Sequence, residues 1–174
     1  TLLYLLVITL SALATSKIVA AWSTDTRLTT SAEWDREPSI MQTRNGSIWV
    51  AWASDKYYGQ YDIFYKTSPN YGSTWSSPVR FTRPLSIDDT PRLMQTQNES
   101  IWLIWVSDRT GNPELLYQTS PDYGQTWDPI VELTNYSNTD GAPSITQNTD
   151  GTIWVAWHRN VTGNFDIYYK TTSN

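Results

Sequence analysis

The sequence predicts an all-β protein: a β-propeller of four-stranded antiparallel blades, of which about three are present as a partial or half propeller. Two observations lead to this prediction. Segments of strand-forming residues recur at spacings of 52 and 53 residues, as in repeat architectures. Ten Trp and eleven Tyr stand against three Phe and two Met, and Thr, Ser, Asn, Ile and Val are abundant after residue 21, which favours strands and turns over helices.

The repeat predicts the first three strands of each blade. The middle segment, Ile-Trp-Val-Ala-Trp in two of its copies, is apolar on both faces, as expected for an inner strand covered from both sides. Asn45-Gly46 and Asp150-Gly151 are typical hairpin turns between the first and second strands. The recurring segments are residues 38–40, 91–93 and 143–145, residues 48–52, 101–105 and 153–157, and residues 62–67, 114–119 and 166–171.

A fourth recurring segment supplies the outer strand of the blade. Residues 75–82 and 127–134 share its pattern, and residues 22–29 carry the same pattern 53 residues before the first of them. The predicted organisation is therefore a lone outer strand at 22–30, one blade at 37–83, a second at 90–134, and the first three strands of a blade at 142–174.

The outer strand at the start of the chain and the three strands at its end together make one blade. With the two complete blades, the chain therefore has three, whereas propellers need about 4–8 blades to close. We expect the chain to be a fragment of a longer gene, because residue 1 is Thr rather than Met. The alternative is a homo-oligomer: two three-blade chains exchange the strand at 22–29, each completes the other's last blade, and a six-bladed dimer closes.

Residues 1–21 differ in composition from the rest of the chain. Residues 1–16 carry no charge, and small residues precede Trp22, as in the apolar region and cleavage site of a secretory signal peptide. An uncleaved membrane anchor is the alternative, although Lys17 interrupts the apolar stretch. The sequence therefore predicts an N-terminal hydrophobic helix or signal segment and a secreted or cell-surface protein.

Charge and cysteine content exclude several classes of function. The formal net charge is −5 and no basic stripe exists, which argues against a nucleic-acid partner. The chain has no Cys, so neither disulfides nor thiolate metal sites are available. In an exported protein, four Asn-x-Ser/Thr sequons are glycosylation candidates. They begin at Asn45, Asn98, Asn135 and Asn160.

A turn motif recurs between the third and fourth strands of both blades. Its fixed positions are Ser68, Asn70, Gly72, Thr74 and Trp75 in the first copy and Ser120, Asp122, Gly124, Thr126 and Trp127 in the second. Both copies resemble the Asp-box (BNR) repeat of the sialidase-like β-propeller family, a Ser-x-Asp-x-Gly-x-Thr-Trp hairpin. Asn70 departs from the family's Asp but accepts the same local hydrogen bond. The resemblance implies a structural role at the periphery for these ten residues.

The same resemblance implies what a sialidase would need: three arginines that clamp the substrate carboxylate, a Tyr–Glu nucleophile, an Asp acid/base and an Arg-Ile-Pro motif. The chain has no Arg-Ile-Pro and most of its eight Arg lie on outer strands or loops. Arg92 is the exception, because it replaces Ser39 and Ser144 on an innermost strand that can face the central funnel. Arg92 is therefore a candidate for carboxylate binding, with pairing to a neighbouring blade's acid as the alternative.

Further ligand-binding candidates come from the predicted ligand face. Three acids each stand three residues before a strand-opening Pro: Asp35, Asp88 and Asp140. They form an acidic rim that binds a cation or sugar hydroxyls, or that supplies the carboxylate pair of a glycosidase. The alternative is that they make hydrogen bonds within turns and between blades. His158, the only His, is a rim candidate. Four aromatic residues there either stack on sugar rings or cap a blade: Trp34, Tyr57, Tyr58 and Tyr61.

The catalytic residues are unknown, and the sequence leans away from an enzyme. We expect an exported, non-catalytic module that binds glycan or protein at the cell surface. One alternative is a fragment of a sialidase-type exo-glycosidase, and another is a structural subunit that assembles by strand exchange. No cofactor and no metal are expected, and Ca²⁺ has no supporting motif because no EF-hand-like run of acids exists.

Overall fold

The computed structural model describes residues 22–57, 59–83 and 86–172, and this part of the chain is all-β. The predicted hydrophobic helix at 1–21 lies outside the described residues. In the described part, no helix has the length and apolarity needed to cross a membrane. The strands are β1 (Asp35–Gln42), β2 (Ile48–Tyr57), β3 (Gln60–Ser68), β4 (Val79–Arg80), β5 (Asp88–Gln95), β6 (Ile101–Ser107), β7 (Glu114–Ser120), β8 (Val131–Glu132), β9 (Thr139–Gln147), β10 (Ile153–Val161) and β11 (Asn164–Thr172).

The strands form three antiparallel sheets in chain order. Sheet 1 has the order β1-β2-β3-β4 and sheet 2 the order β5-β6-β7-β8, whereas sheet 3 has three strands in the order β9-β10-β11. The prediction of an all-β repeat with four-stranded units is confirmed for the first two sheets. Sheet 3 contains the three strands that the sequence predicts for it.

Residues 22–30 belong to a different compact unit from residues 31–172. The sequence predicts an outer strand at 22–29, whereas the structure shows no strand at residues 22–30. A β-strand is defined by its ladder of backbone hydrogen bonds to a neighbouring strand, so a matching sequence pattern does not by itself form one.

The hydrophobic core lies between successive sheets. Ala51 and Ile63 of sheet 1 are buried with Leu103 and Trp105 of sheet 2 in one cluster. A second cluster joins sheet 2 to sheet 3. It contains Ile104, Leu115, Ile153, Val155 and Trp157. Residues on both faces of β2 and β6 are buried, so the prediction that the middle strand is covered on both sides is confirmed for sheets 1 and 2. In β10 of sheet 3, Trp154 is 38% exposed.

Hydrogen bonds at one end of the innermost strands tie neighbouring sheets together. The side-chain oxygen of Gln95 accepts the backbone N–H of Arg44 in the preceding sheet at 2.7 Å. Gln147 accepts the backbone N–H of Gln97 in the same way, also at 2.7 Å. These residues occupy equivalent repeat positions, so the same contact fixes the relative register of sheets 1 and 2 and of sheets 2 and 3.

The turn at residues 120–127 closes on itself through side-chain hydrogen bonds. Ser120 Oγ accepts the N–H of Gly124 at 2.8 Å, and Asp122 Oδ1 accepts the N–H of Thr126 at 2.8 Å. Hydrogen bonds from Thr126 hold the pKa of Asp122 below its ordinary value. The turn is thus an Asx-stabilised loop of the kind that its residues predict.

The turn at residues 68–75 repeats this geometry with Asn in place of Asp. Ser68 Oγ accepts the N–H of Gly72 at 2.9 Å, and Asn70 Oδ1 accepts the N–H of Thr74 at 2.9 Å. The Asn70 amide donates a further bond to Thr74 Oγ1 at 2.9 Å. The substitution of Asn for Asp therefore keeps the local bonds.

Candidate functional site

The candidate site lies at the edge of the sheets where β1, β5 and β9 begin. Each of these strands has a β-bulge beside its proline. The residue before the proline lies in the left-handed region, with φ of 52° at Glu37, 47° at Thr90 and 48° at Ala142. Positive φ is uncommon outside Gly and is an outlier for a β-branched residue such as Thr. Backbone strain of this kind persists where the surroundings fix it and is concentrated at functional sites.

Two ion pairs cross from sheet 1 to sheet 2 at these bulges. Arg36 pairs with Asp89, and its guanidinium lies 3.6 Å from the ring centroid of Tyr61. Arg92 points back towards sheet 1, with its Nη2 atom 3.8 Å from Glu37 Oε2, and both side chains are partly exposed. Since exposed ion pairs contribute little to stability, a polar ligand can exchange for Glu37 at small cost. Arg92 thus faces a neighbouring blade's acid while remaining accessible.

Asp35 and Asp88, two of the three recurring acids, each bind a tryptophan of the adjacent strand. Asp35 Oδ1 accepts the indole N–H of Trp52 at 3.1 Å. Asp88 Oδ1 accepts that of Trp105 at 3.1 Å. The same hydrogen bond in both sheets links the start of the innermost strand to the middle of the next strand. Hydrogen bonding within the blade is one of the two roles that the sequence left open for these acids.

Asp140 is engaged differently in sheet 3. Arg159 donates to both its carboxylate oxygens, from Nε at 2.7 Å and Nη2 at 2.8 Å. The indole N–H of Trp157, which stands at the repeat position of Trp52, is buried without a hydrogen-bond partner. Asp88 also forms an ion pair with an arginine, since Arg109 Nη2 lies 3.0 Å from Asp88 Oδ1. The carboxylates of Asp88 and Asp140 are buried and committed to protein partners, so a ligand would have to displace an arginine from either.

Trp34 is the most exposed aromatic side chain of the rim, with 75% of its surface accessible. Its backbone N–H donates to Asp55 Oδ1 at 2.9 Å. The equivalent bond in sheet 2, from Ile87 to Asp108, measures 2.7 Å. The loop is therefore anchored through its backbone while the indole ring faces solvent. Tyr57 is also exposed and Tyr58 lies outside the described residues.

Asp62 is a buried acid that the sequence analysis did not single out. Burial raises its pKa above the ordinary value, although the hydrogen bond and charge of Arg80 act in the opposite direction. Arg80 Nη2 lies 2.5 Å from Asp62 Oδ2. Asp62 Oδ1, Arg80 Nε and Ser54 Oγ are all buried without a hydrogen-bond partner. Such groups usually bind an ordered water.

His158 packs within sheet 3. Its ring makes an edge contact with Phe165 at a centroid distance of 4.7 Å. A Cβ atom on Gly141 would lie 2.5 Å from His158 Nε2, so the ring fits only because residue 141 is Gly. Within residues 22–57, 59–83 and 86–172, no group of three or more His, Asp or Glu side chains is arranged to hold a metal ion.

The geometry suits binding of a polar, ring-shaped ligand. An exposed indole offers a flat apolar surface with a polar N–H, and Arg36 and Arg92 offer planar donors to oxygen atoms. The sequence analysis did not predict the ion pair between Arg36 and Asp89. The signal was present, because these residues of opposite charge occupy the same repeat position in sheets 1 and 2. An acid recurs at the repeat position of Asp62, but this recurrence does not separate the buried Asp62 and Glu114 from the exposed Asp166.

Comparison with known proteins finds similar folds among solved structures. No family model matches the chain, and no curated protein matches it. The solved structure of a Hadza microbial sialidase matches with a TM-score of 0.64 and 16% identity over 80% of this chain and 31% of that chain. An endo-arabinase from Bacteroides thetaiotaomicron matches with a TM-score of 0.60 and 13% identity over 86% of this chain and 59% of that chain.

A third match is NanB sialidase from Streptococcus pneumoniae, with a TM-score of 0.57 and 15% identity over 79% of this chain and 23% of that chain. The chain therefore spans less than a third of either sialidase and somewhat over half of the endo-arabinase. At these identities the likeness concerns the fold. The three sheets are similar to part of the propeller folds of sialidases and other glycoside hydrolases.

Proposed function

We propose that this chain is an exported, non-catalytic Asp-box β-propeller module whose rim binds a glycan at the cell surface. The observation that carries the proposal is the exposed Trp34 ring, which lies two residues before Arg36 on a loop whose backbone is held by Asp55. A sugar presents an apolar ring face and hydroxyl groups, which suit an exposed aromatic ring and planar donors at the same edge of the sheets. The similarity of the fold to carbohydrate-acting proteins supports the same ligand class.

The state of the carboxylates supports binding rather than hydrolysis. Glycoside hydrolysis uses two carboxyl groups, one of which donates a proton while the other acts as base or nucleophile. Asp88 and Asp140 are buried and paired with Arg109 and Arg159, so neither carboxylate is available to a substrate unless an arginine is displaced. Asp62, whose pKa is raised, is buried against Arg80.

Export and glycosylation belong to the same proposal. Residues 1–21 serve as the signal peptide or membrane anchor. Asn45, Asn98 and Asn135 are exposed, while Asn160 is half-buried with its side-chain oxygen bound to the N–H of Gly163 at 2.9 Å. We expect glycans on the three exposed residues and less complete modification of Asn160, which mass spectrometry of the exported protein would measure.

Replacement of Trp34 tests the proposed ligand site. Trp34→Ala should weaken binding of oligosaccharides by about 2 kcal/mol, roughly thirtyfold, because truncation of an aromatic hot spot has a cost of this size. Isothermal titration with a panel of neutral and acidic oligosaccharides measures the effect. Tyr71→Ala is the matched control, since Tyr71 is 78% exposed but lies in the turn at the opposite edge. Equal affinities for the wild type and Trp34→Ala would refute the assignment.

A sialidase-type exo-glycosidase is the second candidate. It is favoured by Arg36 and Arg92, two partly exposed guanidinium groups on neighbouring innermost strands, because arginines pair well with a sugar carboxylate. Release of the fluorophore from a fluorogenic sialoside, with loss of that activity in Arg92→Ala, would support this candidate. Absence of turnover across common sugars would favour the non-catalytic module.

A further inference from the structure

One ion pair at the edge where β1 and β5 begin (the bulged edge) is accessible to a ligand. Arg36 of β1 pairs with Asp89 of β5, and the Arg36 side chain is 44% exposed while that of Asp89 is 18% exposed. The pair joins sheets 1 and 2, each of which has four strands. A ligand at this edge would therefore meet a positive and a negative group side by side.

The guanidinium group of Arg36 is held from two directions. Its carbon atom Cζ lies 3.6 Å from the ring centroid of Tyr61, and its Nη2 atom donates a hydrogen bond to Asp89. In the part of the chain that the structure describes, this is the only hydrogen bond of the Arg36 side chain. Since a guanidinium group carries several N–H donors, those that remain are available to a ligand in a fixed orientation.

The carboxylate of Asp89 is also held in place. Its Oδ1 atom accepts the backbone N–H of Thr90 at 2.8 Å, and its Oδ2 atom accepts from Arg36. A carboxylate oxygen has more than one lone pair, so each oxygen can accept a further hydrogen bond. Thr90 lies in the left-handed bulge with φ of 47°, so the bulge itself positions the N–H that orients Asp89.

A donor and an acceptor side by side match two neighbouring hydroxyl groups of a neutral sugar. A hydroxyl group both donates and accepts hydrogen bonds. One hydroxyl can accept from Arg36 while its neighbour donates to Asp89, and the ion pair stays intact. A carboxylate or sulfate group only accepts, so it would compete with Asp89 for Arg36 and would lie beside a charge of its own sign, which is unfavourable.

Arg92 is matched by an acid in the same way. Its Nη2 atom lies 3.8 Å from Oε2 of Glu37, and its Nη1 atom donates to the backbone carbonyl of Pro91 at 2.8 Å. Arg36 and Arg92 therefore each face an acid from the other sheet. Neither offers an unpaired positive charge to an anionic sugar.

The formal charge of the bulged edge favours the same class of ligand. In sheets 1 and 2, its segments contain nine acidic and six basic residues. Asp55 binds the backbone N–H of Trp34 rather than a basic side chain, and Asp108 does the same in the equivalent loop of sheet 2. An excess of negative charge lowers the local concentration of anions, whereas a neutral ligand is unaffected. The segments are residues 33–37, 54–57, 59–62, 80–83, 86–92 and 107–114.

We propose that the glycan bound at this edge is neutral, and that Arg36 and Asp89 together recognise two neighbouring hydroxyl groups of its sugar ring. Arg36 donates to one hydroxyl, Asp89 accepts from the other, and Tyr61 keeps the guanidinium group in place. Asp89 disfavours a sugar that carries a carboxylate or sulfate group. This inference rests on the proposed function, because it names the class of sugar taken by the site that includes Trp34.

Titration with matched sugars tests the charge of the ligand. Isothermal titration of the full chain compares cello-, malto- and manno-oligosaccharides with the same oligosaccharides oxidised at C6 to uronic acids. The neutral form should bind at least about tenfold more tightly at low salt, and the difference should narrow as added salt screens the charges of the edge. Equal or tighter binding of the oxidised form would overturn the inference.

Asp89→Asn tests the role of the ion pair. Asn has the size of Asp and keeps an oxygen that can accept the N–H of Thr90, but it carries no charge. The variant should bind the oxidised oligosaccharide about tenfold more tightly than the wild type does, because Arg36 then lacks its acid. Asp128→Asn is the matched control, since Asp128 is an exposed acid between β7 and β8 at the opposite edge, and it should leave both affinities unchanged. The same preference in Asp89→Asn as in the wild type would count against the assignment.

Trp34→Ala separates this inference from the proposed function. If oligosaccharides bind, lose affinity in Trp34→Ala and favour the oxidised form, the proposed function stands and only the neutral class is wrong. If no oligosaccharide binds, both are wrong. Circular dichroism of Asp89→Asn should match that of the wild type, because exposed ion pairs contribute little to stability. The titrations of the wild type do not depend on that variant.

Discussion

At the scale of single residues, the ionisation of Asp62 is coupled to folding, because its pKa is shifted in the folded protein. Its pKa is raised because burial disfavours the charged carboxylate more than Arg80 favours it. The equivalent residue of sheet 2, Glu114, is one methylene longer and accepts the backbone N–H of Tyr136 at 2.7 Å. The shorter Asp62 leaves one oxygen buried without a partner. The repeat position of Tyr136 holds Pro84 in sheet 1, and proline has no N–H to donate.

A pH dependence follows from the raised pKa of Asp62. The folded state binds this proton more tightly than the unfolded state, so the contribution of Asp62 to stability is present below its ordinary pKa of 3.8 and is lost as pH rises through the folded value. Relative to Asp62→Asn, the wild type should therefore lose stability with rising pH from about 3.8 upwards. Urea unfolding of both proteins across pH measures this difference. If the free energy of unfolding of the wild type instead increases with pH relative to that of Asp62→Asn, pairing with Arg80 dominates over burial.

At the scale of elements, Gly124 connects the turn at 120–127 to the preceding sheet. Its φ is +84°, and a Cβ atom would lie 2.3 Å from Cη2 of Trp49. Trp49 is buried in the core between sheets 1 and 2, so it has little room to move. The turn of one sheet therefore packs closely on a tryptophan of its neighbour, and glycine is needed for conformation and for space.

Gly124→Ala should destabilise the protein by about 3 kcal/mol, the sum of left-handed strain and overpacking of a filled core. Gly72→Ala is the matched control. Gly72 has a φ of +86° in the equivalent turn, but its Cβ atom would meet only Trp75 at 3.9 Å. The control should lose about 1 kcal/mol from backbone strain. Chemical denaturation measures both values, and equal losses would contradict the close contact with Trp49.

The strand order could be predicted from the sequence because the repeat places the same apolar pattern at fixed spacing, and the Asx bonds of both turns could be predicted because they are local. The left-handed bulges could not be predicted from the sequence, because the residues that adopt them have only the following proline in common. These residues are Glu37, Thr90 and Ala142. The strand at 22–29 was predicted from its match to residues 75–82. In the described structure, residues 22–30 carry no strand.

The candidate site could be predicted only in part. The rim position of Arg92 followed from its departure from the repeat, and the structure adds its contact with Glu37. The partners of Asp35, Asp88 and Asp140 could not be assigned, because the tryptophans and arginines that bind them come from other strands and loops. Contacts between sheets depend on three-dimensional packing that repeat spacing alone does not specify.

At the scale of the whole molecule, the two edges of the sheets have different roles. One edge carries closed turns whose side chains bind their own backbone. The other carries strained bulges, ion pairs between sheets and the exposed ring of Trp34. Binding residues are commonly displayed on loops that a rigid scaffold positions. We therefore expect a ligand to bind at the bulged edge.

Two-dimensional NMR of the indole N–H groups tests this claim most directly, because the ten Trp residues include reporters at both edges. Signals are assigned by single Trp→Phe variants, and the protein is titrated with the oligosaccharide that binds in calorimetry. Binding at the bulged edge should shift the Trp34 signal while those of Trp75 and Trp127 stay in place. A shift of Trp75 or Trp127 with no change at Trp34 would contradict it.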